Sequence, residues 1–198
     1  MVSENIRAFR RYARMAGNGG HQVRFNLCQQ NRHKFSNIKL FILEFIDMVW
    51  KPHVTVAAII ERDRHFLLVE EETPHGLQFN QPAGHFEENE DLIAAVKREV
   101  QEETAWQFEP EHLVAVQLWR RNPNAPTFLR VCFSGACHSH DPGQALDTGI
   151  IATHWLTRDQ VAAQRQRLRS PLVLVGIDEY LSGQRYPLSL LQSFLDHE

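Results

Sequence analysis

The chain has 198 residues, 43% hydrophobic and 23% charged, with a formal charge of −3. This composition excludes a low-complexity or fibrous chain, and a domain of this size needs no disulfide or metal staple to build a core. The small net charge makes no case for a nucleic-acid partner, and the three cysteines, Cys28, Cys132 and Cys137, odd in number and without a CxxC pair, read as reduced thiols and not as zinc ligands.

The average charge conceals a division at Met48. Residues 1–47 hold eight Lys/Arg and three Asp/Glu, net +5, while the remainder holds 13 and 21, net −8. The start of the chain reads as a short basic amphipathic helix ended by Gly17, Gly19 and Gly20. The apolar stretch Phe35–Ile46 follows, broken by Lys39 and Glu44. It falls short of the roughly 20 apolar residues needed to cross a bilayer, and the order of features that marks a secretion signal is missing. An Arg-rich, acid-poor start superficially suits an organelle transit peptide. The preferred expectation is a disordered basic extension, or one that arises from a mis-assigned start, with Met48 as the natural first residue. The segment lacks the interleaved aromatics or binding motif of a nucleic-acid arm.

From Val54 the pattern sharpens. Val54–Ile60 is rich in β-branched residues and predicts a buried strand. Glu61–Arg64 is a charged turn, and His65–Glu70 predicts a hairpin partner. A loop through Thr73, Pro74 and Gly76 leads to the extended piece Phe79-Asn80-Gln81. The strongest helix runs from Asp91 to about Thr104, capped by Asn89 or a neighbour, with Glu90 and Asp91 in its first turn, at the positive end of the helix dipole. Leu113–Trp119, Thr127–Ala136 and Ile150–Trp155 predict further strands. Thr157-Arg158-Asp159-Gln160 fits a capping box that opens a helix to about Arg167. Ser170-Pro171 starts another that stops before Gly183. Strands and helices mix without strict alternation, which favours an α+β arrangement, a mixed sheet flanked by helices.

The chemistry concentrates between Gly84 and Glu103. With Glu99 at zero on a helical wheel, Glu103 falls near +40° and Glu102 near −60°, while Val96, Val100 and Ile93 fall between about +60° and +120°. Three carboxylates therefore share one face beside a core-facing stripe. Such crowding is unfavourable unless a cation neutralises it, and carboxylate oxygens with no Cys or His among them suit a hard ion such as Mg²⁺ or Mn²⁺. Arg98 adjoins Glu99 and precedes Glu102 by one turn, placed to pair with a carboxylate. Divalent ions and a nearby carboxylate base are what phosphoanhydride hydrolysis requires. The bland alternative for EVQEE alone is a solvated acidic helix face.

The longer pattern decides between them. Gly84, Glu90, Arg98, Glu99, an apolar residue, Glu102 and Glu103 stand at the spacing GX5EX7REUXEE. This resembles the Nudix box, and chance agreement at seven fixed positions is improbable. One position departs: where the family signature ends in Gly, this chain has Ala105. Alanine at positive φ costs about 1–2 kcal/mol, which bears on stability more than on chemistry. KPHVTVAAI, LLVEE, FNQPAGH, FLRVCF, LRSPLV and SGQRYPL are similar to the NudJ-like phosphatase subgroup of that family. The likeness covers about Met48 to the C-terminus.

The resemblance implies a Nudix hydrolase domain at 48–198 with an α/β/α sandwich fold around a mixed, curved sheet. It implies Mg²⁺ dependence, with Mn²⁺ as substitute. Implied substrates are nucleoside tri- and diphosphates, hydroxymethylpyrimidine diphosphate and thiamine diphosphate, with inorganic phosphate released. Carried over by position, Glu99 and Glu103 are metal ligands, and Glu102 is a further ligand or the base. Glu90, Arg98 and Gly84 support the site. Asp147 is a second candidate base. Arg130 reaches a phosphate or is an outward strand arginine; Phe79, Gln81 and Trp119 line a ring pocket or pack the core. Arg169, Arg185 and Tyr186 lie in subgroup motifs and are guessed to shape the pocket. His85 is assigned a loop role. A nucleotide-binding module without turnover is the alternative, which the intact Glu99, Glu102 and Glu103 argue against. The expected setting is a cytoplasmic monomer with a small-molecule phosphate substrate and neither nucleic-acid nor membrane partner.

Because every candidate ligand follows Met48, a protein that starts there should fold and keep full activity. Thermal melts and turnover of the full and shortened proteins, side by side, test this. Aggregation or a much lower melting point of the shorter one would show that residues 1–47 are structural.

Overall fold

The computed structural model describes residues 50–195 of the chain; the basic extension expected at residues 1–47 lies outside them. The unit that begins at Pro52 is organised around one strand, β1 (His53–Arg62). Its apolar run is buried on both faces. Val56, Ala58 and Ile60 point to one side, and Ala57 and Ile59 to the other, as the two-residue period of a strand demands. A strand covered on both sides reads as a continuous apolar run, without alternation.

β1 forms a tight hairpin with β2 (His65–Thr73). Asp63 and Arg64 both adopt positive φ, 50° and 63°, which matches the turn to the right-handed twist of the strands. β2 pairs antiparallel with β3 (Gly76–Asn80) and, on its other edge, with β7 (Ile150–Thr157). The short β4 (Ala83–His85) pairs antiparallel with the first half of β1, Thr55 opposite His85 and Ala57 opposite Ala83. On its far edge β1 runs parallel to β6 (Thr127–His140), from His53 opposite Phe128 to Ile60 opposite Gly135. β6 pairs antiparallel with β5 (Trp106–Arg120), which carries the two-residue β8 (Tyr186–Pro187). One parallel pair among antiparallel ones makes the mixed sheet expected from the sequence.

Helix α1 (Leu92–Thr104) covers one face. Its Ala95, Val96 and Val100 pack with Val56, Ala58, Ile60, Phe108, Val131 and Phe133. Each fully buried valine contributes about 1.5–3 kcal/mol, enough to hold the acidic side of the helix at a fixed height over the sheet. Helices α2 (Arg158–Ala163) and α3 (Leu172–Leu181) cover the other face through Val161, Val173 and Ile177. The layers are thus α/β/α. Among the described residues no helix is long and apolar enough to cross a membrane.

Several boundaries differ from the sequence expectation. β5 and β6 are longer, because their antiparallel pairing continues past the apolar core out to His140. The capping box at Thr157 is present, but α2 ends at Ala163 and a 3-10 turn takes over at Arg165–Arg167. The cap of α1 is Asp91, whose carboxylate accepts from the Ile93 and Ala94 amides at 2.9 and 2.7 Å. Asn89 instead holds a left-handed turn, φ 67°, and Glu90 precedes the helix. The first turn therefore holds no acidic residue.

At the other end of α1, Ala105 takes the left-handed conformation, φ 58° and ψ 14°, and its amide donates to the Gln101 carbonyl at 2.9 Å. The turn after the helix keeps the shape that glycine favours although the residue is alanine. Its carbonyl accepts from the Asp141 amide at 2.9 Å, so the loop after β6 is tied to this turn. Ala105→Gly should relieve the strain and raise stability by about 0.5–1 kcal/mol, with loss of the buried methyl keeping the gain small. A thermal melt of the variant checks this; a lower midpoint would contradict it.

Candidate active site

The packing of α1 fixes which way its carboxylates face. Val96 and Val100 enter the core, so Glu99 and Glu103 turn toward β4, where both are buried. Glu102 lies at the rim, with its side chain 43% exposed.

Each acid is held differently. Glu103 accepts the Ala83 amide at 2.8 Å through Oε2. Burial pushes its carboxyl up to about 8; that amide pulls the other way, while the charges of Glu99, Glu71 and Asp147 push further up. Glu99 is likewise raised by burial, with Arg98 opposing. Glu99 lies directly against Gly84. A Cβ at position 84 would overlap the Glu99 carboxylate, so the glycine lets that carboxylate lie against the strand by close approach, not by an unusual φ.

Arg98 ties the array together. Its Nε donates to Glu90 Oε2 at 3.0 Å and Nη2 to Glu90 Oε1 at 2.8 Å, a bidentate pair. Nη2 also donates to the His85 carbonyl at 3.0 Å, and Nη1 to Glu99 at 2.7 Å and Glu102 at 3.0 Å. These contacts raise the Arg98 pKa, Glu90 foremost, and Arg98 in turn lowers that of Glu90. The loop between β4 and α1 is thus clamped to the helix by one guanidinium.

Glu71 on β2 and Asp147 in the loop before β7 complete the acidic field. Burial raises the Glu71 carboxyl, with Arg169 and Arg130 opposing, and its Oε1 is buried without a hydrogen bond. Asp147 is exposed, and its amide donates to the Glu102 carbonyl at 2.9 Å. Sequence reasoning missed Glu71. The signal was a run of three glutamates, Glu70 to Glu72, closing an apolar strand, at least one of which must face inward.

The donors are carboxylate oxygens, and burial penalises their charged forms, which is the setting a hard divalent cation stabilises. As placed, the acids form no three-ligand cluster among the described residues, because Glu99 and Glu102 both turn onto Arg98. The donor chemistry and the Gly84 cradle fit a divalent ion.

The remaining residues separate into two groups. Arg130 is buried, so the outward alternative fails: Nη2 donates to Gln81 at 2.6 Å, and Nε has no partner. Gln81 also donates to the Val173 carbonyl at 2.7 Å. Phe79 is buried in the core beneath α2 and α3, edge-on to His154 and under the Arg167 guanidinium. Trp119, in contrast, lines an open cleft of about 670 Å³ with Gln78, Arg121, Arg165 and Arg169. The three α1 carboxylates are not part of that cleft. Arg185 lies over the Tyr180 ring and donates to the Tyr180 carbonyl at 2.9 Å, closing the end of α3; Tyr186 is exposed on β8. Neither lines the cleft.

The profile of the NUDIX domain matches residues 51–174. Phosphatase NudJ of Escherichia coli K12 is 39% identical over 146 residues, 74% of this chain and 94% of that protein. A solved NUDIX hydrolase from Nitrosomonas europaea is 47% identical, with a TM-score of 0.70 over 73% of this chain and 98% of that one. A MutT NUDIX hydrolase from Burkholderia pseudomallei, 22% identical, shares the fold at a TM-score of 0.57 over 66% of this chain and 98% of that one. The chain belongs to the Nudix hydrolase family, enzymes that cleave phosphoanhydride bonds and generally use divalent metals.

Gly84→Ala tests the cradle. The backbone at Gly84 has no positive φ, so the fold should survive, with a melting point within a few degrees. The Glu99 carboxylate must move, and turnover should fall at least tenfold. Unchanged kcat in the folded variant would show that the position of Glu99 is unimportant.

Proposed function

We propose that residues 48–198 form a Mg²⁺-dependent phosphatase and pyrophosphohydrolase, with Mn²⁺ an adequate substitute. Its substrates are nucleoside tri- and diphosphates, hydroxymethylpyrimidine diphosphate and thiamine diphosphate, and inorganic phosphate is released. The observation that carries this reading is the array of Glu99, Glu102 and Glu103 on one face of α1, braced by Arg98. The likeness to phosphatase NudJ supports release of phosphate.

Glu99 and Glu103 would hold the cation, with Glu102 a further ligand or the base; when bound, the cation would neutralise phosphate charge and acidify the attacking water. Arg98 keeps Glu99 and Glu102 on their shared face while Glu90 holds Arg98 from the opposite side. As the base, Glu102, the most exposed of the three acids, would take the proton of the attacking water; Asp147, whose amide donates to the Glu102 carbonyl, is the second candidate. Buried Arg130, with a free Nε, supplies positive potential toward the phosphates.

A substrate panel assayed separately for phosphate and pyrophosphate tests the reading. Phosphate should appear from at least some nucleoside phosphates and from hydroxymethylpyrimidine diphosphate, with almost no turnover in EDTA. Glu99→Gln and Glu103→Gln should each cut turnover at least tenfold in a folded protein. Full activity in metal-free buffer would rule the mechanism out, and pyrophosphate alone across the panel would rule out the phosphatase assignment.

A further inference from the structure

A helix leaves the carbonyls at its end without partners of its own. At the end of α1 they are met by one distant segment, residues 141–149, which joins β6 to β7. The Asp141 amide donates to the Ala105 carbonyl at 2.9 Å and the Asp147 amide to the Glu102 carbonyl at 2.9 Å. Between them, the side-chain amide of Gln144 donates to the Gln101 carbonyl at 2.6 Å. The segment is also fastened within itself and at its far end. Asp141 accepts from the Gly143 amide through its carboxylate and from the Gln144 amide through its carbonyl. The Ile150 amide donates to the Asp147 carbonyl at 3.0 Å, and the Glu72 amide to the Gly149 carbonyl at 2.8 Å. The result is an arch from the end of the acidic helix to the end of β2.

Two of the three bonds from the arch to α1 come from backbone amides, which any sequence supplies once the path is taken. The third depends on a side chain. Gln144 is half-buried, while Gly143, Ala145, Asp147 and Thr148 are exposed. A loop so exposed opens locally at little cost unless something specific holds it, and Gln144 is that contact. The arch also brings a charge to the acid face. Burial raises the carboxyls of Glu99 and Glu103, and the Asp147 charge is near enough to push both further up. The same field acts on a cation held by those acids. Its strength falls with distance and with screening by solvent, so the effect of Asp147 depends on where the arch holds it.

We infer that Gln144 is a positioning residue: by latching the arch to the last turn of α1, it keeps the Asp147 carboxylate over the acid face, where its charge strengthens the hold on a divalent cation. The inference rests on the proposed hydrolase reading and adds to it a determinant of metal affinity that lies outside the helix.

Mn²⁺ binding to the full chain is measured by electron paramagnetic resonance without substrate, for the unaltered protein, Gln144→Met, Asp147→Asn and the double variant. Methionine keeps the shape of glutamine and lacks its donor; asparagine keeps the shape of aspartate and lacks its charge. Each single variant should bind Mn²⁺ at least threefold more weakly. The double variant should bind no more weakly than Asp147→Asn, because the position of an uncharged group no longer matters. The loss in Gln144→Met should shrink in about 1 M KCl, where the Debye length is about 3 Å. Hydrogen exchange of the Asp147 amide should be at least threefold faster in Gln144→Met, with the melting point within a few degrees of the unaltered chain. Unchanged exchange, a loss undiminished by salt, or losses that add in the double variant would overturn the inference. An unaltered chain that binds no Mn²⁺ would sink the hydrolase reading together with the inference. Mn²⁺ bound equally by all four proteins would sink the inference alone.

Discussion

Arg98 is the interaction on which the acidic end of the domain depends. One guanidinium joins Glu90 ahead of the helix, Glu99 and Glu102 on it, and the His85 carbonyl at the end of β4. Without it the carboxylates would face one another in a partly dry environment. Removing one partner of a buried ion pair typically costs about 3–5 kcal/mol; here Arg98 is 24% exposed, so solvent screens part of that cost. The same clamp makes the loop from Phe86 to Glu90 follow the helix as one body. The site is then rigid because its charges are crossed by one cation, and the crowding that would otherwise repel becomes a means of alignment.

The second constraint is the double burial of β1. Apolar contacts on one face place α1, and those on the other place α2 and α3. The carboxylates and the arginine-lined cleft lie in different layers, yet both are referred to the same central strand. Half-buried Glu71 and buried Arg130 are the charged groups between them, each with an atom that lacks a hydrogen-bond partner. Unpartnered buried polar atoms are uncommon and tend to mark places where function, not packing, set the side chain.

The helix face was legible because helical geometry is local. Spacing alone places Glu99, Glu102 and Glu103 together, and it predicts the core stripe through Val96 and Val100. Capping was partly legible: Thr157 and Gln160 form their box, but Asn89 and Asp91 are two residues apart with similar chemistry, and only the backbone shows which one caps. The arginine-lined cleft was less legible because it is assembled across layers. Trp119 lies in the cleft, whereas Phe79 and Gln81 are turned inward by strand parity, and Gln78, their neighbour, faces the opening. Glu71, Arg121 and Arg165 come from three distant segments, and no local period relates them.

The parallel pairing of β1 with β6 bears on how the chain folds. It joins Val56 to Val131, across about half of the domain, whereas β1–β2 and β5–β6 are adjacent in sequence. Closing so large a loop carries an entropic cost that must be met before the pairing is rewarded. The local hairpins carry the smaller closure cost. Until that seam closes, the β1 edge that will receive β6 stays open to any other extended chain, and such an edge is a template for association.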